Sequence, residues 1–221
     1  MVQRIPRRIL REITSKEFSR ISDHDRDEMA IPSYLHGNLL IRWLMWKRYE
    51  RIAALANCTK EMTVLEFGCG IGVFLPELDK SAGKVFAIGL FPEYAQILSQ
   101  KFGLETSFIE DISEIPDNSL DIIVAADVLE HIDEGEQDNI LITFSQKLNG
   151  GGRLIVSGPT ESFVYRIGRI VAGFAGKGDY HHTNIDRLIE NIQKHFILEK
   201  INYLPFKIPP YLFKVCKFQK R

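Results

Sequence analysis

Three glycines at alternate positions, Gly68, Gly70 and Gly72, follow directly on a short apolar run and carry the first chemical signal in the sequence. The run at residues 64–67, VLEF, is typical of a buried parallel strand. A glycine-rich turn between a strand and a helix lets a ligand come close to bare backbone amides. The dinucleotide fingerprint needs a third glycine where Val73 stands, so the spacing argues against a nicotinamide or flavin cofactor. The alternative is a structural turn that binds nothing.

A second signal is the sequence DVLEH at residues 127–131, which follows the apolar run LDIIVAA at residues 120–126. Ligands of open α/β sheets bind at the carboxyl ends of the strands, so this segment is expected to face the same crevice as the glycine turn. His131 is predicted to act as a general base, with its pKa held near neutrality by Glu130 or another nearby acid. Together the segments predict one site that binds a ligand and can remove a proton.

Alternating strand and helix patterns are predicted to position these residues. The strands are predicted at residues 64–67, 84–88, 105–109, 120–126, 153–156, 196–203 and 211–218, and the main helices at residues 39–55, 92–101, 139–148 and 184–195. The domains predicted are a helical extension over residues 1–56, which acts as a lid, and an α/β domain over residues 57–221. In the extension Arg42, Lys47, Arg48 and Arg51 alternate with apolar residues. Trp43, Trp46 and Tyr49 either cover the ligand or form the buried stripe of their helix.

Four segments, in order, resemble the class I S-adenosylmethionine (SAM) dependent methyltransferases, of the type 11/12 and ubiquinone-biosynthesis O-methyltransferase kinds. They are the glycine motif with Glu66 two residues before it, FIED at residues 108–111, the Glu130–His131 pair, and LNGGGRLIV at residues 148–156. The resemblance spans residues 64–159. It implies a Rossmann-like seven-stranded mixed sheet with helices on both faces, whose last strand is antiparallel and lies beside the fifth. It also implies SAM as cofactor and S-adenosylhomocysteine as product.

The same resemblance assigns the cofactor site. The residues it implies are Glu66, Gly68, Gly70, Gly72, Gly89, Leu90, Asp111, Ile112 and Asp127. Asp111 is expected to accept a hydrogen bond from the adenine amine, and it can also cap a helix that begins at Ile112.

Gly89 is the largest departure from the family pattern, because the family has at this place an acid that accepts hydrogen bonds from both ribose hydroxyls. Loss of that acceptor costs roughly 1.5 to 3 kcal/mol of ligand affinity, unless water or Glu93 replaces it. Either SAM binds differently or weakly, or this chain binds SAM without transferring its methyl group. Phe91 either packs on the adenine or belongs to the core.

His131 and His182 are the predicted catalytic residues. Asp127, Glu130 and His131 also resemble the acid–acid–histidine set with which some relatives hold a divalent metal, and His181 or His182 would complete it. The same pair also occurs in relatives that have no metal, and there it shapes the pocket. The prediction is a site without metal, with these residues as the candidates if a metal binds.

The expected acceptor is a small or lipid-linked molecule methylated on oxygen or nitrogen. Residues 160–182 are predicted to form an insert on the acceptor side, whose basic amphipathic pattern, with the basic chain ends, suggests peripheral contact with a membrane. A core helix with solvated arginines is the alternative. Residues 102–146 contain twelve acids and no lysine or arginine, and no nucleic-acid partner is expected. An RNA or protein acceptor is therefore the less favoured alternative.

Composition agrees with one globular chain: of 221 residues 45% are hydrophobic and 26% charged, with a net charge of −1. The three cysteines are an odd number, and their spacing does not match that of metal ligands, so reduced thiols are predicted. The amino-terminal charges argue against a secretory signal, and no apolar run reaches the ~20 residues of a membrane span. A cytoplasmic location is the expectation.

Overall fold

The computed structural model describes residues 2–15, 29–160, 183–206, 209 and 211–221. The helices are α1 (Arg7–Ser15), α2 (Ile31–Leu35), α3 (Leu39–Ala56), α4 (Leu75–Ser81), α5 (Pro92–Phe102), α6 (Glu134–Lys147) and α7 (Ile185–His195). The strands are β1 (Thr63–Phe67), β2 (Lys84–Ile88), β3 (Thr106–Phe108), β4 (Leu120–Ala126), β5 (Leu148–Pro159), β6 (Phe196–Leu204) and β7 (Phe213–Lys220). Short 3₁₀ turns lie at Ile112–Glu114 and Leu129–His131.

The seven strands form one mixed sheet in the order β3-β2-β1-β4-β5-β7-β6. Strands β1 to β5 are parallel where they pair, and β7 is antiparallel to both β5 and β6. The predicted fold, with its last strand inserted beside the fifth, is therefore confirmed. Because the order reverses between β1 and β4, the carboxyl ends of these two strands border the crevice in which ligands bind in such sheets.

Two local predictions were wrong. Helix α6 begins at Glu134, five residues before its predicted start, because Glu134 and Glu136 fill its first turn, where carboxylates interact favourably with the helix dipole. Strand β5 begins at Leu148 rather than after the glycines, and its pairing with β4 shifts between Leu120 and Ile122 to accommodate residues 149–152.

Each face of the sheet has its own hydrophobic cluster. One cluster joins β1, β2, α4 and α5 to the helical extension through residues such as Ile13, Tyr34, Trp46 and Ile52. The other packs α6 and α7 on the opposite face. Trp46 and Tyr49 are buried in the first cluster, as the stripe interpretation predicted, whereas Trp43 is only partly buried. The extension is thus packed on the same core as the sheet that carries the glycine turn.

Helix α3 runs from the carboxyl edge of the sheet towards its amino edge. Arg48, in its middle, meets Asp127 directly after β4, and Ala56, at its end, lies only seven residues before β1 begins. Its first turn therefore extends beyond the carboxyl edge. Within the described ranges, no helix is long and apolar enough to cross a membrane.

Candidate functional site

A cleft opens above the carboxyl ends of β1, β2 and β4, with the helical extension as its other wall. From the sheet side it is lined by Gly68, Cys69, Gly70, Ile71, Val73, Gly89, Leu90, Phe91, Ala126, Asp127, Val128 and His131. From the extension it is lined by Met29, Ala30, Tyr34, Arg48 and Tyr49. The glycine turn and the DVLEH segment therefore share one cleft.

Each of the three turn positions is occupied by glycine for a different structural reason. Gly68 has a φ of +80°, and a Cβ placed there would lie 2.6 Å from a methyl carbon of Val128. At Gly72 a Cβ would lie 2.9 Å from the α-carbon of Ala95, so α5 packs directly on the turn. At Gly70 the nearest atom to an added Cβ is 3.9 Å away, in Met29, and the space belongs to the cleft. Gly68 and Gly72 are explained by packing, whereas Gly70 leaves room for a ligand.

Glu66 lies on β1 directly before this turn and is 2% exposed. Its Oε2 atom has no hydrogen-bond partner among the described residues, and burial raises the pKa of its carboxyl group to about 8. A buried polar atom without a partner is costly, which makes Glu66 a candidate acceptor for a hydrogen bond from a ligand or from water in the cleft. Glu66 itself is not part of the cleft lining.

Gly89 sits at the end of β2 against the glycine turn. The backbone amides of Gly68 and Cys69 both donate to the carbonyl of Ile88, at 2.9 Å, and this ties the turn to β2. A Cβ at position 89 would lie 3.0 Å from Sγ of Cys69, so the buried thiol occupies part of the space that a side chain there would need. Leu90 is 85% exposed at the cleft mouth, and Phe91 lines the cleft while packing partly into the core.

Asp127 is the first residue after β4 and has a φ of +53°, which is uncommon for a residue other than glycine. Ser157 on β5 holds it there: the amide of Asp127 donates to the Ser157 carbonyl at 3.0 Å, and the Ser157 hydroxyl donates to Oδ1 of Asp127 at 2.8 Å. These bonds direct the carboxylate of Asp127 into the cleft. Strained backbone held in this way is common at functional sites.

Arg48 lines the cleft, although it was not among the predicted site residues. It is 2% exposed and forms an ion pair with Asp127. Its Nη2 donates to the Tyr34 hydroxyl at 3.0 Å, and its guanidinium carbon lies 5.1 and 5.5 Å from the ring centres of Tyr49 and Phe213. The available signal was its spacing, since Arg48 follows buried Met45 by three residues and therefore lies on the apolar stripe of α3.

Four of the predicted cofactor residues do not line the cleft in the part of the chain described, namely Glu66, Gly72, Asp111 and Ile112. Asp111 caps the 3₁₀ turn by accepting a hydrogen bond from the Ser113 amide at 2.7 Å, and bonds from Ser113 lower the pKa of its carboxyl group. Ile112 packs beside the second hydrophobic cluster. The predicted helix cap is present, and the adenine contact stays a prediction.

His131 lines the cleft, as predicted, from the 3₁₀ turn after Asp127. Glu130 points away into the interior, where it is 1% exposed. No group of three or more histidine, cysteine, aspartate or glutamate side chains able to hold a metal occurs among the described residues. His181 and His182 lie outside those residues, as does the predicted insert from residue 161 onward.

The sequence matches the methyltransferase domain family over residues 41–205, and the chain belongs to this family. An uncharacterized methyltransferase of Bacillus mycoides (strain KBAB4) is 34% identical over 95 residues, which are 42% of this chain and 44% of that protein. The chain thus spans less than half the length of the curated relatives that it matches.

Solved structures show the same fold at low identity. The N-methyltransferase NodS of Bradyrhizobium japonicum WM9, solved with S-adenosylhomocysteine, is 17% identical with a TM-score of 0.66, over 90% of this chain and 99% of that one. Magnesium protoporphyrin IX methyltransferase (ChlM) of Synechocystis PCC 6803, also solved with S-adenosylhomocysteine, is 14% identical with a TM-score of 0.64, over 98% and 100% of the two chains.

Proposed function

We propose that this protein transfers a methyl group from SAM to an oxygen or nitrogen of a small or lipid-linked molecule. The observation that carries the proposal is the cleft in which a glycine turn and the Asp127–His131 segment face each other, in a chain of the methyltransferase domain family. The bound S-adenosylhomocysteine of the two structural neighbours supports the choice of cofactor.

The residues of the cleft fit such a donor. Space beside Gly70 leaves room at the backbone, and the unpartnered Oε2 of Glu66 can accept a hydrogen bond from an ammonium group or an intervening water. Gly89, Leu90 and Phe91, after β2, would border the nucleoside end, and Asp127, in its ion pair with Arg48, lies after β4 on the other side of β1. When bound, SAM supplies an activated methyl group on a sulfonium, so the protein mainly has to position the acceptor in line.

His131 is the residue proposed to take a proton from the acceptor, because it lines the cleft beside Asp127. The predicted role of His182 remains a proposal. Replacing His131 with asparagine should lower kcat at least tenfold for an acceptor that must lose a proton, with SAM affinity unchanged. Equal loss of SAM binding would show that His131 holds the cofactor instead.

Calorimetry tests the donor site directly. Gly70→Val fills the one glycine position of the turn that has space for a side chain, so it should abolish SAM binding; because Gly70 has a φ of +50°, it should also lower the free energy of unfolding by about 2–3 kcal/mol. Gly103→Val, at an open position directly after α5 with a φ of +63°, brings comparable backbone strain outside the cleft and is the matched control. Unchanged SAM binding by Gly70→Val would refute the site.

A second candidate function is SAM binding without methyl transfer, and Gly89 favours it because the family's ribose-binding acid is missing. Incubation with labelled SAM and lipid or phenolic extracts separates the two functions. Label that enters no product, although SAM binds tightly, would support the second function.

A further inference from the structure

Exposed large hydrophobic side chains are concentrated at one edge of the molecule. The described residues contain six of them, and the four most exposed are Leu90, Leu39, Leu40 and Phe206, at 85%, 74%, 68% and 68%. Leu90 and Phe206 follow the carboxyl ends of β2 and β6, because β6, antiparallel to β7, runs in the direction of β5. All four therefore lie at the edge where the cleft opens.

Leu39 and Leu40 form a protruding tip, here called the leucine tip, in the first turn of α3. Arg48 marks the level of the carboxyl edge through its ion pair with Asp127. Nine residues of helix rise by about 13 Å, so Leu39 stands roughly that far along the helix axis from Arg48.

The leucine tip has a well-ordered base. The side chain of Asn38 caps the helix by accepting a hydrogen bond from the Leu40 amide at 2.8 Å. Arg42 donates from its guanidinium to the carbonyls of His36 and Gly37, the latter at 2.9 Å. The two leucines are thus held outward by a capped helix.

Three arginine side chains, those of Arg7, Arg11 and Arg42, lie near the base of the leucine tip. Arg7 donates to the Leu35 carbonyl at 2.6 Å, four residues before the tip begins. Partial burial, followed by the positive charges of Arg42 and Arg11, lowers the pKa of Arg7, as expected for neighbouring cations. In residues 2–15 and 29–160, and in the described residues that follow, no acid forms an ion pair with these three arginines. Among the described residues, three arginines are therefore grouped near the base of the tip without a carboxylate partner.

We propose that the leucine tip docks the protein on an anionic lipid bilayer, with Leu39 and Leu40 in the interfacial region and Arg7, Arg11 and Arg42 near lipid phosphates. A convex tip of two leucines is too small for a specific protein interface, which usually buries about 1,000 Å² or more, but it suits insertion between lipid headgroups. Docking in this way turns the mouth of the cleft towards the bilayer. An acceptor with an apolar chain could then enter from the membrane, and only this last step rests on the proposed function.

Sedimentation with vesicles tests the docking. The full chain is mixed at low salt with vesicles of phosphatidylcholine and phosphatidylglycerol in equal parts, or of phosphatidylcholine alone. The parent protein should partition onto the anionic vesicles, and the double variant L39S/L40S should partition about tenfold less. Arg11→Gln should also weaken binding, and added salt should reduce it. The matched control is Ile197→Ser, an exposed apolar position at the opposite end of β6, which should bind like the parent protein.

SAM binding is measured separately, in the absence of vesicles, so that a failure of docking can be distinguished from a failure of the proposed function. Failure of the parent protein to bind anionic vesicles would overturn the docking surface, as would equal binding by L39S/L40S and Ile197→Ser or equal binding to vesicles of phosphatidylcholine alone. A dimer that L39S/L40S dissociates, without vesicle binding, would show instead that the tip pairs two copies of the chain. If the parent protein does not bind SAM, this result counts against the proposed function and leaves the docking proposal unaffected.

Discussion

Replacing Arg48 with methionine should destabilise the protein through a mechanism that the structure makes explicit. Arg48 is 2% exposed, and its guanidinium pairs with Asp127 and donates to the Tyr34 hydroxyl. Removing one partner of a buried ion pair costs about 3–5 kcal/mol, because the other charge remains without compensation. The Asp127 side chain is 19% exposed and keeps its bond from Ser157, so we expect the lower end, about 3 kcal/mol.

A double-mutant cycle separates the ion pair from the packing of the long side chain. In the combined variant R48M/D127N the Asp127 charge is gone, but the buried Glu130 carboxyl group, whose charge also acts on Arg48, remains, so the loss should fall to about 2 kcal/mol. Arg48→Lys keeps the charge but cannot offer a planar set of donors to both Asp127 and Tyr34, and it should lose about 1–2 kcal/mol. Urea unfolding, followed by far-ultraviolet circular dichroism at equal m values, gives these free energies. A loss below 1 kcal/mol in Arg48→Met, or strictly additive effects in the cycle, would refute the reasoning.

Three further predictions concern the glycine turn and its neighbours. Burial raises the pKa of Glu66 to about 8 from 4.5, so the native state keeps a proton that the unfolded state releases, and stability should fall by about 1.4 kcal/mol per pH unit between those values. Glu66→Gln removes this contribution, and urea unfolding at several pH values should show a flatter profile; an unchanged slope would contradict the burial argument. Gly68→Ala should cost about 2–4 kcal/mol through its positive φ and the 2.6 Å approach to Val128, and Val128→Ala should restore part of the loss. Gly89→Asp, made together with Cys69→Ala to give the new Cβ room, should increase SAM affinity about tenfold over Cys69→Ala in calorimetry. No gain would mean that position 89 does not face the ribose.

Much of the fold could be read from local patterns. Apolar runs bounded by turns predict β2 at residues 84–88 and β4 at residues 120–126 with the bounds that the structure has. The resemblance of the ordered motifs to the methyltransferase family then implies the sheet, and the rule that connections between parallel strands are right-handed is consistent with it. The glycine turn and His131 could be assigned to one cleft on the same grounds, since both follow carboxyl ends of neighbouring strands.

The sequence by itself therefore determined most strands and the edge at which the site lies, because hydrophobic periodicity and glycine spacing act over a few residues, and its resemblance to the family supplied the order of the strands. Only the tertiary structure decided the other wall of the cleft. Arg48 is charged, and its sequence neighbours do not reveal the Asp127 and Tyr34 side chains that make its burial tolerable. Burial of a charge depends on partners brought together from distant parts of the chain, and those partners exist only when the helical extension is packed against the sheet.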